Sequence, residues 1–208
     1  KVLHKVASVR HAVKAADAGV DAVSIVGAEC GGHPGLDMVG SYVNAAWAAK
    51  QLKIPYLIGG GVGHGSQIVA ALAMGASGVV IGTRFLVADE IWAHGNYKER
   101  LIEAQPTDTD LCMQSVRNTV RSLRNETTAT VKAMESENPN ITIQELMPYV
   151  AGKVGRNAYA TGDWQHGILS AGHALAFVEQ REPLKGIVSQ LTGEMSEAIN
   201  RVASTVPY

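Results

Sequence analysis

Residues 54–83 read IPYLIGGGVGHGSQIVAALAMGASGVVIGT, a stretch without one Asp, Glu, Lys or Arg. An uncharged run of this length raises the question of a membrane helix, which needs about 20 mostly apolar residues. Pro55 and the glycines at 59, 60, 61, 63, 65, 75, 78 and 82 answer it, because they cut the run into pieces of strand and helix length. Residues 55–58 form a short apolar run, 66–74 an Ala-rich helix and 79–81 a second buried strand. Apolar strands without polar alternation, separated by a helix, predict a parallel sheet covered on both faces.

The same texture extends upstream. Residues 2–6 are a short apolar run, and Ser8 caps a predicted helix with Val9, Ala12, Val13 and Ala16 on one face, ended by Gly19. Residues 21–26 (DAVSIV) form the next strand, followed by a Gly-rich loop and a helix over 40–52. AGVDAVSIVG at 18–27 is echoed by MGASGVVIGT at 74–83, with Gly19 and Gly75 two βα units apart. A constant unit of about 25–30 residues is the building block of a (β/α)₈ barrel. Four units are visible, and four strands cannot close a barrel.

After Phe85 the segments become longer, more charged and helical, with no strand pattern; TIQE at 142–145 is a capping box, and 184–202 is amphipathic. The expected division is a half-barrel over 1–88 and a helical cap or insertion with closing helices over 89–208. The balance of 18 Lys plus Arg against 19 Asp plus Glu offers no footprint for nucleic acid or an anionic membrane. Two cysteines, Cys30 and Cys112, make neither a disulfide framework nor a zinc spacing. No targeting segment is visible ahead of the first strand, and a reducing, cytoplasmic setting is expected.

In parallel barrels the functional loops follow the strand C-termini. Here one strand ends in Gly59-Gly60-Gly61 and the next in Gly82-Thr83. Such glycines let backbone N–H groups approach a phosphate, although they equally suit tight turns. On the phosphate reading, a Cβ at Gly60 or Gly61 would stand where the phosphate approaches. The sequence has no G-x-G-x-x-G and no Walker motif. A third loop, GAECGGHPG at 27–35, sets His33 between glycine and proline past a buried strand, exposed in the barrel mouth. Its imidazole suits proton transfer, and a solvated loop histidine is the plainer alternative. Cys30 reads as structural and His64 as a solvated turn residue. The remaining histidines show no metal-type spacing, so no metal is expected.

HKVASVRHAVKAADAGVDAVSIVGAECGGHPG, with IPYLIGGGVGHGSQIVAALAMGASGVVIGTRFL, SVRNT and YATGDWQHGILSAGHA, resembles the nitronate monooxygenase (2-nitropropane dioxygenase) family of FMN-dependent TIM barrels. The resemblance covers the whole chain but corresponds to the second half of the barrel plus the helical region, since the family begins with four further βα units. It implies an FMN-dependent oxidoreductase acting on alkyl nitronates or nitroalkanes with O₂. By the same resemblance Lys5 contacts the flavin and Gly32 lies at its ring. Gly60, Gly61, Gly82 and Thr83 surround the FMN phosphate, His33 is the catalytic base, and Ser170 reaches the ring edge. Ile81, Gly63–Gly65 and His173 depart from the usual Met, A-D-G and Gln or Met. Flavin barrels that reduce quinones or enoyl-acyl carrier proteins with NAD(P)H carry similar motifs. A reading of another class is a non-catalytic chain that completes a barrel with a second chain.

Overall fold

The computed structural model describes residues 1–205. Its first part alternates β1 (Leu3–Val6), α1 (Val9–Asp17), β2 (Ala22–Val26), α2 (Ser41–Gln51), β3 (Tyr56–Gly59), α3 (Gly65–Ala73) and β4 (Gly78–Val80). The four strands are parallel and adjacent in chain order. Parallel strands alternating with helices are the pattern expected of part of a (β/α)₈ barrel. Element boundaries move by only a residue or two. Ser8 caps α1 through its side chain, which accepts the His11 N–H.

The strand period decides which side chains meet which layer. Val23, Ile25, Tyr56 and Ile58 point outward into a core shared with Val9, Ala12, Ala45, Ala48 and Ala71 of the helices. Their neighbours Ser24, Val26, Leu57, Gly59 and Val80 belong to the opposite, inner face. β1 and β4 are each paired on one side only, which leaves Leu3 58% and Val80 37% exposed.

After β4 the chain makes a 3-10 turn at Thr83–Phe85, α4 (Gly95–Glu103), and then a feature that sequence reasoning missed. β5 (Thr109–Cys112) and β6 (Val120–Leu123) form an antiparallel pair inside the region predicted to be helical. All four residues of β6 are buried, so no in-out alternation announces it. Helices α5 (Glu126–Glu137), α6 (Ile143–Val150) and α7 (Gly152–Thr161) follow. The predicted capping box of α6 is present, with Glu145 accepting from the Thr142 N–H and hydroxyl. The last helix, α8 (Leu184–Thr205), returns to the barrel and packs along α3. The final three residues of the predicted 89–208 region lie outside the described residues. No described helix is long and apolar enough to cross a membrane.

Candidate functional site

A cleft of about 300 Å³ opens over the C-terminal ends of the four strands. Its floor takes one inner-face residue from each strand: Val26, Gly59 and Val80 lie in register, and Lys5, paired with Ser24, sits one layer below them. Its walls are the loops that follow those strands: Cys30 and Gly31, then Gly60 to Val62, then Gly82 and Thr83. Ser170 and Ala174 close it from the C-terminal part. Six sequence-predicted residues thus line one cleft: Lys5 from β1, Gly60, Gly61, Gly82 and Thr83 from the segments after β3 and β4, and Ser170 from the C-terminal part.

Gly32 adjoins this cleft. Its φ of +82° is a glycine conformation, and a Cβ built there would lie 3.7 Å from the Ser170 hydroxyl. His33 is exposed and does not line the cleft. It sits on the rim, next to Gly32, and its ring makes no hydrogen bond among the described residues. The loop is held by Arg121, whose N–H and carbonyl both pair with Gly32 at 2.7 and 2.9 Å. The buried Arg121 guanidinium also donates to the Ala28 carbonyl at 3.0 Å and to Thr109 Oγ1 at 3.1 Å. Burial lowers the Arg121 pKa, opposed by Cys30 and Glu29. The missed hairpin is thus the clamp on the loop that carries the predicted base.

The glycines of the cleft divide into two kinds. Gly82 has φ −117°, open to any residue, and a Cβ there would meet no heavy atom within 4 Å. Neither strain nor packing requires glycine at that position. Gly60 is different. Its φ is +102°, and a Cβ would lie 2.7 Å from Ser41 Oγ and 2.9 Å from the Gly27 nitrogen. The expectation that a side chain at Gly60 would collide with a phosphate is therefore corrected, because it would point away from the cleft into the protein. The Gly61 Cβ likewise would meet Glu29 Cβ at 2.9 Å.

The N–H groups of Gly60, Gly61 and Gly82 donate to no acceptor among the described residues. Thr83 Oγ1 accepts the Gly172 N–H at 3.0 Å, which leaves its hydroxyl hydrogen free to donate. Unused donors around a side-chain-free space fit the phosphate of a flavin mononucleotide. Cys30 lines the cleft, but burial pushes its thiol pKa up, with Lys5 opposing, so it stays a neutral thiol. His64 is not a solvated turn residue. It caps α3, accepting the Ser66 N–H, and its ring packs tilted against Phe177 with centroids 5.7 Å apart. Among the described residues no group of three or more His, Cys, Asp or Glu is placed to hold a metal ion.

The model of the nitronate monooxygenase family matches residues 1–194. The nitronate monooxygenase of Paraburkholderia phytofirmans is 29% identical over 97% of this chain and 56% of that protein. The probable nitronate monooxygenase of Staphylococcus saprophyticus is 27% identical over 97% of this chain and 58% of its own length. Among solved structures, FabK from Thermotoga maritima superposes with a TM-score of 0.91 at 30% identity, covering 99% of this chain and 64% of that one. The nitroalkane oxidase from Streptomyces ansochromogenes gives 0.75 at 28% identity, covering 96% and 58%. The chain thus spans less than two thirds of the length of each of these proteins.

Proposed function

The chain belongs to the nitronate monooxygenase family, and on that premise we propose that it carries the flavin site of an FMN-dependent oxidoreductase that oxidises alkyl nitronates or nitroalkanes with O₂. The observation that carries the reading is the convergence of Lys5, Gly60, Gly61, Gly82, Thr83 and Ser170 on one cleft at the strand ends. One pair of glycine-bearing phosphate loops suits FMN rather than FAD. Residues 1–88 are read as the barrel half, and the rest as cap and closing helix. The single-sided strands β1 and β4 are read as edges for four further βα units, from the same polypeptide or a second chain.

In this reading the N–H groups of Gly60, Gly61 and Gly82 and the Thr83 hydroxyl hold the phosphate. Gly32, without a side chain, would leave room for the ring beside its loop, and Ser170, which lines the cleft, would contribute its hydroxyl to holding it. The Lys5 ammonium on the cleft floor offsets negative charge that develops there. FMN, when bound, supplies the redox step by taking electrons from the substrate and passing them to O₂. His33, exposed beside Gly32, accepts the α-proton of a neutral nitroalkane.

The test is a His33→Ala variant of the barrel-complete protein. It should retain FMN and lose about 10²–10⁴-fold in rate on neutral nitroalkanes, the usual worth of a general base. Pre-formed nitronate needs no proton removal, so its oxidation should suffer far less. Equal losses on both forms would refute the base assignment. Protein that neither contains nor takes up FMN would refute the flavin reading. Rapid reduction of the flavin by NAD(P)H without nitronate turnover would move the assignment to the reductases.

A further inference from the structure

Glu29 lies four residues before His33 and does not line the cleft. It faces a second cavity, of about 330 Å³, on the helix side of the sheet with Ser41, Gln67 and His173. The two cavities share one wall, Gly60, Gly61 and Val62. Both carboxylate oxygens of Glu29 accept the Ser41 N–H, at 3.1 and 3.0 Å, and Oε2 also lies 2.9 Å from the Ser41 hydroxyl. That hydroxyl in turn sits 2.9 Å from the Gly59 carbonyl and 2.8 Å from the Gly60 carbonyl. Its single hydrogen is thus shared among a carboxylate and two consecutive carbonyls of the turn.

From this we infer that Glu29 is a positioning residue: acting through Ser41, it sets the conformation of the Gly59–Gly61 turn from behind. Three features support the inference. Helix α2 begins at Ser41 after Gly40, which has no side chain to cap it, so the Glu29 carboxylate replaces the missing cap and satisfies a first-turn N–H. Glycines clear the space for this arrangement. A Cβ at Gly27 would strike the Ser41 nitrogen and hydroxyl, one at Gly40 would come to 3.2 Å from Glu29 Oε1, and those at Gly60 and Gly61 would meet Ser41 and Glu29. Finally, a carboxylate inside the cleft would repel a phosphate, and behind the wall it shapes the turn without that cost.

The inference rests on the proposed function only for its consequence, that the fixed turn presents the Gly60 and Gly61 N–H groups to the FMN phosphate. Two readouts keep the two ideas apart. Backbone NMR order parameters over residues 59–63 report the turn itself, and FMN titration reports the consequence. In Glu29→Ala, the order parameters over 59–63 should fall from the rigid range, about 0.85, to below about 0.6, while β2 at Ile25 stays rigid. Glu29→Gln, whose amide oxygen still accepts from Ser41, should restore most of the order. Ser41→Ala keeps the carboxylate but cuts its link to the two carbonyls. It should loosen the turn as well, and it tests the idea independently should Glu29→Ala fail to fold. Folded Glu29→Ala or Ser41→Ala protein with wild-type order parameters over 59–63 would overturn the positioning role. Wild-type protein that binds no FMN would sink the flavin reading while leaving the order-parameter comparison decisive for Glu29.

Discussion

Gly82→Ala separates ligand binding from folding more cleanly than any other substitution in the cleft. The backbone at Gly82 has φ −117° and ψ −77°, so alanine adopts it without left-handed strain, and the new methyl meets no atom within 4 Å. Replacing glycine at a compatible position restricts the unfolded chain and stabilises by about 0.4–1 kcal/mol. On the proposed FMN site, however, the same methyl projects into the space through which the phosphate would reach the backbone. Losing one hydrogen bond to a charged group is worth about 1.5–3 kcal/mol, or roughly 10- to 100-fold in FMN affinity. Gly60→Ala is the converse control. There φ is +102° and the methyl is forced to 2.7 Å from Ser41 Oγ, a strain of about 1–3 kcal/mol against folding. Urea denaturation of the ligand-free proteins and fluorescence titration with FMN measure both quantities. Gly82→Ala should be as stable as wild type or slightly more so, with weak FMN binding, and Gly60→Ala should be destabilised. Wild-type FMN affinity in Gly82→Ala would place the phosphate elsewhere, and a loss of stability matching that of Gly60→Ala would refute the open-space argument.

Arg121→Met removes the guanidinium that ties the hairpin to Ala28 and leaves the Ala28 carbonyl and Thr109 hydroxyl without this donor. The cost should be about 1–3 kcal/mol, with faster amide exchange over residues 28–35 than elsewhere; uniform exchange would show that the clamp is unimportant. His173 gives a pH signature, because burial, aided by Arg121 and opposed by Glu29, lowers its pKa below the ordinary imidazole value. The unfolded chain therefore takes up the proton first, so this contribution to stability is complete above about pH 6.5 and is lost as pH falls through the lower folded value. His173→Gln should flatten the decline in the urea midpoint below about pH 6.5, and an unchanged decline would show that other groups cause it.

The half-barrel was readable because its strands are buried on the helix side and end in glycine, so that both period and punctuation survive in a single sequence. β6 was not readable, for a physical reason. Val120, Arg121, Ser122 and Leu123 are all buried, and the charge in their midst, a feature that argues against a buried strand, is satisfied only by Thr109 and Ala28 from elsewhere in the chain. The cleft was legible to the extent that it is made of consecutive loops: Gly60, Gly61, Gly82 and Thr83 follow from where the strands end, whereas Lys5 and Ser170 came from the family resemblance. Glu29 was overlooked because its partner Ser41 lies twelve positions on, across a loop whose path composition does not specify. The glycines are the most instructive case. A Gly-Gly-Gly run and a Gly-Thr pair look alike as phosphate loops, yet Gly60 is required by a side chain packed behind it, whereas Gly82 is free of every protein atom nearby. A glycine that accommodates the protein and a glycine proposed to accommodate a ligand carry the same letter. Only the direction in which a Cβ would point tells them apart, and that direction is fixed by the fold.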